Sequence, residues 1–213
     1  APALAYEELK PPFLSLLVSG GHTQIVLVEE WGKYNLFGQT VDDAAGEAFD
    51  KLSRYCGFGF PGGPAIQKLS RKGNPDAIAL PRPNIKSSND FSFSGLKTAA
   101  VYFLQEIGTG TRNISKEDFA ASYQEAIVDT LIINFSKVLK ETGAKTISGG
   151  GGVIANTRLR EKMEALADKN EVQCYLPSIS LSTDNAAMIC AAANKDLISI
   201  DKSRDIRLSS IIK

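Results

Sequence analysis

From residue 13 to residue 39 the apolar side chains fall in short runs broken by turn residues. Phe13-Leu14-Ser15-Leu16-Leu17-Val18 is a nearly unbroken apolar run, the pattern of a strand covered on both faces. Ser19-Gly20-Gly21-His22-Thr23 interrupts it, and residues 24–29 make a second strand. Trp31-Gly32-Lys33 turns the chain into a third, over 34–39. Short strands joined by Gly-containing turns predict a meander of hairpins. Residues 1–12, with Pro11-Pro12 at their end, predict an irregular lead-in.

From Asp42 the period becomes helical. Ala44, Ala45, Ala48, Phe49 and Leu52 share one face and predict a helix over 42–55. A Gly/Pro loop over 57–64 leads to a short helix over 65–71. Residues 72–93 are rich in Pro and Asn and predict a loop. A helix over 96–106 follows, with Ser94 as its expected N-cap. Ser115-Lys116-Glu117-Asp118 resembles a capping box opening a long helix that stops at Gly143. Thereafter strand and helix alternate: a strand over 145–148, a helix over 156–169, a strand over 172–175 and a helix over 184–196. This alternation predicts an α/β sheet with a parallel component.

Composition narrows the classes. The chain has 213 residues, 43% of them apolar and 23% charged, enough for a real core and too few charges for general disorder. Basic and acidic residues number 24 each, and neither half is strongly biased. Binding nucleic acid through bulk charge is therefore disfavoured, although a local basic patch survives the argument. One histidine, His22, excludes a His-rich zinc site or a zinc-protease helix within this sequence. Cys56, Cys174 and Cys190 lie far apart, as expected of reduced thiols. No apolar run reaches the roughly 18–20 residues that span a bilayer. The expectation is a soluble protein of the cytoplasm or an organelle matrix, with no membrane partner.

Four segments are candidates for chemistry. Ser19-Gly20-Gly21-His22-Thr23 is either an anion-binding nest, if its glycines take positive φ, or a plain hairpin turn. Gly149-Gly150-Gly151-Gly152 sits between strand and helix, where backbone can approach a ligand closely; a flexible connector is the alternative. Asn156 beyond it is a helix cap or a ligand donor. Gly57-Phe58-Gly59-Phe60-Pro61-Gly62 matches G-x-G-x-x-G in letters only. It follows a helix rather than a strand, so the dinucleotide reading fails. In Ser182-Thr183-Asp184-Asn185, Asp184 is a metal ligand or a carboxylate set against a helix dipole. Asp42, Asp43, Glu47 and Asp50 form an acidic face expected to be solvated, with Asp50 able to face a cleft.

Together these segments resemble a known family. Leu16-Leu17-Val18-Ser19-Gly20-Gly21-His22-Thr23-Gln24 is similar to the signature of the tRNA threonylcarbamoyladenosine transferases, the TsaD or Gcp family once called O-sialoglycoprotein endopeptidases. Asp42-Asp43-Ala44-Ala45-Gly46-Glu47-Ala48-Phe49-Asp50-Lys51, Phe60-Pro61-Gly62-Gly63-Pro64, Asp90-Phe91-Ser92-Phe93-Ser94-Gly95-Leu96-Lys97 and Ser182-Thr183-Asp184-Asn185-Ala186-Ala187-Met188 match further blocks, in the family's order.

The resemblance implies an α/β, actin-like ATPase fold, that of sugar kinases and heat-shock ATPases. It implies largely the C-terminal lobe, spanning 13–213 with inserted helices, and a missing N-terminal lobe. It implies transfer of threonylcarbamoyl from threonylcarbamoyl-AMP to the adenosine beside the anticodon of tRNA. Leu17, Val18, Ser19, Gly20 and Gly21 would line the phosphate and carbamoyl end of the adenylate. Asp50 would take the ribose hydroxyls, Gly63 would lie along the nucleotide, and Asn156 would bind it from the other side. Asp184 would ligate one divalent metal, iron or zinc, with magnesium a third option. The family completes that site with an H-x-x-x-H pair in an N-terminal segment that this sequence lacks, so the isolated chain is expected to be inactive. The implied partners are tRNA, an inactive paralogue, a P-loop ATPase and an enzyme that makes the adenylate. An actin-fold small-molecule phosphotransferase and a non-catalytic scaffold are the alternatives.

Overall fold

A computed structural model describes residues 2–108 and 113–196. Its centre is a five-stranded mixed sheet of order β3-β2-β1-β4-β5. β1 (Phe13–Val18), β2 (Thr23–Glu30) and β3 (Lys33–Gln39) form the expected antiparallel meander. β4 (Thr146–Gly150) then pairs parallel to β1, and β5 (Gln173–Tyr175) parallel to β4. Side chains alternate across β1. Leu14, Leu16 and Val18 enter the main core, while Phe13 faces a smaller cluster on the other side of the sheet.

The lead-in is less irregular than its prolines suggest. Pro2–Ala5 forms a helical turn, α1. Leu9 is buried beside Phe13 and Val28, which ties this segment to the sheet. The reading of one lobe over 13–213 extends past residue 196, beyond the described residues.

Helices cover the main face of the sheet. α2 (Ala45–Cys56) and α3 (Gly62–Ser70) lie beside the long α5 (Lys116–Thr142). α5 is apolar around most of its circumference, so it is buried along most of its length, from Phe119 to Leu139. Its ends follow local rules. Ser115 Oγ accepts the Asp118 N–H at 2.9 Å, and Gly143 closes the helix with φ 63°. Phe49 of α2 meets Tyr123 of α5 edge to face, with ring centroids 6.3 Å apart. The Tyr123 hydroxyl donates to the Ala48 carbonyl at 3.1 Å. α4 (Ser94–Gly108), α6 (Thr157–Asn170), α7 (Ile179–Ser182) and α8 (Ala186–Asp196) complete the described chain.

Several boundaries move from their expected places because distant groups supply the caps. α2 starts at Ala45, whose N–H goes to the buried Thr23 Oγ1 at 2.9 Å. Asp42 and Asp43 precede that helix and are not a solvated face. Asp42 accepts from Phe93 N–H at 2.8 Å and Ser92 Oγ at 2.5 Å. It thereby does at α4 the work expected of Ser94, which is itself the first helical residue. Asp43 is bound by Lys51 at 2.6 Å and Lys97 at 3.0 Å. Its burial opposes ionisation, but those lysines outweigh burial and hold the carboxyl below its usual range.

Candidate functional site

β1 and β4 are parallel neighbours whose chains leave in opposite directions across the sheet, β1 to β2 and β4 towards β5. The carboxyl ends of such strands open into a crevice, the usual place for a ligand in an open α/β sheet. Here a cleft of about 450 Å³ lies between the β1–β2 turn, the N-terminal parts of α2 and α3, the 3-10 turn Gly152–Ala155 and α7.

Four of the expected site residues meet there: Gly20, Asp50, Gly63 and Asn156. They come from four separate segments, so their meeting is a property of the fold. The other members of the first loop are placed differently. Val18 is fully buried in the core, so its side chain cannot reach a ligand. Leu17 points to the opposite side of the sheet, and neither it nor Ser19 or Gly21 lines the cleft.

The loop is built around Ser19 rather than around left-handed glycines. Neither Gly20 nor Gly21 has positive φ. Ser19 Oγ accepts the amides of Gly21 at 3.3 Å and His22 at 3.0 Å. The Gly20 N–H makes no hydrogen bond among the described residues and stays available to an anion. The second glycine loop is also shorter than expected. Gly149 and Gly150 are the end of β4, leaving Gly151, with φ 92°, as the turn.

Asp50 and Asn156 have structural duties at the rim. Asp50 Oδ1 accepts the Gly62 N–H at 2.6 Å. Asn156 is buried; its Oδ1 caps α6 through Leu159 N–H at 3.1 Å, and its Nδ2 donates to Gln124 at 2.8 Å. The cap reading of Asn156 therefore holds; the residue also lines the cleft, with its amide already engaged.

Asp184 lies outside α8. Asn185 caps that helix instead, with Oδ1 2.9 Å from Met188 N–H, so the dipole reading of Asp184 gives way to its neighbour. Asp184 is exposed and adjoins Thr183, which lines the cleft. Among the described residues no group of three or more His, Cys, Asp and Glu side chains is placed to hold a metal. A lone exposed carboxylate is a poor match for iron, zinc or magnesium.

Gly46, Phe49, Gln67 and Ile179, which spacing alone missed, also line the cleft, as does Thr183 of the Ser182–Asn185 segment. Gly46 carried a signal: glycine near the start of a helix costs about 1 kcal/mol relative to alanine. A Cβ there would lie 2.6 Å from Ser19 O and 2.9 Å from Gly20 Cα. Helix α2 thus approaches the β1–β2 turn as closely as backbone allows. Among the described residues the lining includes one carboxylate, Asp50, and no lysine or arginine. Phe49, Pro61, Pro64 and Ile179 suit a flat apolar group, Asp50 can accept hydroxyls, and the Gly20 amide can meet an anion.

This sheet order, with its cleft at the carboxyl ends of the central parallel strands, is the actin-like ATPase fold. Full-length HypF, solved in a phosphate- and nucleotide-bound form, superposes with TM-score 0.71 at 12% identity, covering 96% of this chain and 42% of that one. HypF of T. kodakarensis gives 0.55 at 14% identity, covering 75% of this chain and 21% of its own.

Sequence comparison goes further. The model of the TsaD family, tRNA N6-adenosine threonylcarbamoyltransferase, matches residues 1–191, and the chain belongs to that family. It is 47% identical over 192 residues to the tRNA N6-adenosine threonylcarbamoyltransferase of Clostridium kluyveri, covering 89% of this chain and 56% of the relative. With the Thermosipho africanus protein of the same name it shares 47% over 193 residues, 90% of this chain and 58% of that one. The chain therefore spans a little over half the length of these curated relatives. Among the described residues no helix is long and apolar enough to cross a membrane.

Proposed function

We propose that this chain supplies the nucleotide side of a tRNA adenosine threonylcarbamoyltransferase. The observation that carries the reading is the meeting of Gly20, Asp50, Gly63 and Asn156 in one cleft at the ends of β1 and β4. In this reading the adenine of threonylcarbamoyl-AMP rests on the apolar wall, and Asp50 accepts from the ribose. The Gly20 amide turns to the phosphate. Leu17, Val18, Ser19 and Gly21 act by holding the backbone of that turn. The N6 amine of the tRNA adenosine attacks the carbamoyl carbon, the bond from that carbon to the phosphate oxygen breaks, AMP leaves, and the amine loses a proton. The donor is already activated, so orientation and charge stabilisation suffice, without a protein nucleophile.

Asp184 is assigned to a metal site only as one contributor, because the described donors do not form a set that holds an ion; no step is routed through it. tRNA, a paralogue and a P-loop ATPase are the proposed partners, in the cytoplasm or an organelle matrix. The test is calorimetric titration of the chain with AMP. Saturable binding that weakens in Asp50→Ala supports the reading. Absence of binding, or binding indifferent to Asp50, rejects it.

A further inference from the structure

The seam between α5 and α6 changes its charge pattern part-way along. At one end, bases on α6 meet acids on α5. Arg158 binds Glu125 at 2.8 and 2.9 Å. Lys162 binds both Glu125 and Asp129, and Arg82 closes on Asp129 at 2.9 Å. Further on, the seam opens into a groove floored by Ile132, Ile133, Ala165 and Leu166. Lys137, Lys140 and Lys169 stand around this floor, and among the described residues no carboxylate lines it.

These three cations are not balanced. Lys140 and Lys169 are exposed and make no ion pair among the described residues. Lys137 is held at 2.6 Å by Asn84 and at 3.1 Å by Asn134, both neutral. Like charges gathered on neighbouring helix faces disfavour the folded state, and Ile133 beneath them is 43% exposed. The pairs 125–158 and 129–162 advance together, so the two helices run in the same direction and leave a straight furrow. A third helix fits such a furrow.

We propose that this groove docks an amphipathic helix of a partner protein, with apolar residues along its buried face and Glu or Asp along its flanks. The lysines alone would suit any polyanion. The apolar floor is what selects a peptide, because a sugar-phosphate backbone has no side chains to bury there.

The test uses the 213-residue chain and a synthetic helical peptide of about 20 residues, with leucines on one face and glutamates beside them. The same composition scrambled, polyglutamate and a short duplex RNA are the comparison probes, all read by fluorescence anisotropy. The helical peptide is expected to bind at least about tenfold more tightly than its scramble. Lys140→Glu combined with Lys169→Glu should weaken it by about tenfold or more, as should Ile133→Ser. The charge-reversed variant should melt no lower than the parent, because the reversal removes repulsion. Equal binding of the scramble or of polyglutamate overturns the proposal in favour of charge alone. RNA binding that the reversals abolish, with no peptide binding, assigns the face to nucleic acid. Dimerisation of the chain lost in the reversed variant assigns it to a second copy. Each of these overturns the proposal, as does a fall in melting temperature with no peptide bound by the parent.

Discussion

Asp50 Oδ1 and the Gly62 N–H, 2.6 Å apart, tie α2 to α3 at the rim of the cleft. That bond occupies one oxygen and leaves Oδ2 for a ligand. Two substitutions separate the duties. Asn in place of Asp50 keeps an acceptor for Gly62 but loses the charge. Asp50→Asn is expected to leave the melting temperature nearly unchanged while AMP affinity falls about tenfold. Asp50→Ala should lose both, with about 1–2 kcal/mol of stability. Calorimetry and thermal denaturation on the same samples check the pair.

Gly20 and Gly46 should respond in opposite ways. A Cβ on Gly20 meets nothing within 4 Å, whereas one on Gly46 collides with Ser19 and Gly20. Gly20→Ala should therefore fold with stability within about 0.5 kcal/mol of the parent. Gly20 lines the cleft and an added methyl there enters open space, so it is expected to crowd the nucleotide and lower AMP affinity while the amide donor is kept. Gly46→Ala should cost about 1–3 kcal/mol by pushing α2 away from the turn. Urea denaturation distinguishes them, and equal stability losses would contradict the packing described.

Acid should loosen the α5–α6 seam. Burial pushes the Glu125 carboxyl up, but hydrogen bonds and charge from Arg158 and Lys162 outweigh it and lower it from 4.5 to about 2. The folded state thus binds this proton less readily than the unfolded chain. The stabilisation is complete above pH 4.5 and is lost as pH falls towards 2. Glu125→Gln is expected to lower stability at neutral pH and to flatten the decline across that window. Denaturation midpoints measured through the window provide the check.

The thiols should separate by reactivity. Burial pushes Cys56 up to about 11 and Cys174 up to about 12, so neither forms much thiolate near neutrality. Cys190 is exposed. Brief alkylation at neutral pH followed by peptide mass mapping should find the label on Cys190, with Cys56 and Cys174 modified only after unfolding.

Short-range patterns in the chain identify β1 and both ends of α5, because those elements satisfy themselves locally. The apolar run of β1 needs no partner to be recognised, and Ser115 and Gly143 lie beside the helix they cap. The start of α2 is different. It depends on Thr23, 22 residues earlier, and α4 is capped by Asp42 through Phe93, 51 residues later. No spacing rule reads such pairings. Gly149 and Gly150 look like loop for a related reason. At Gly149 a Cβ would fall 2.8 Å from Ile154 Cδ1 and 2.9 Å from Leu176 Cδ2. The glycine belongs to a strand whose neighbours fill the space a side chain would take. The cleft was legible in part: Gly20, Gly46, Phe49, Asp50, Gly63 and Thr183 stand in recognisable motifs, while Gln67 and Ile179 owe their place to how α3 and α7 pack.

The Ser15 and Ser148 hydroxyls, 3.0 Å apart across β1 and β4, are separated by 133 residues of chain. During synthesis, at roughly 5–20 residues per second, β1 therefore waits about 7–27 seconds for the neighbour that completes the cleft. Through that interval its open edge can recruit any extended segment nearby. The cleft is a late product of translation. Slow translation between residues 40 and 146 is expected to lengthen that exposure and raise the demand for chaperones.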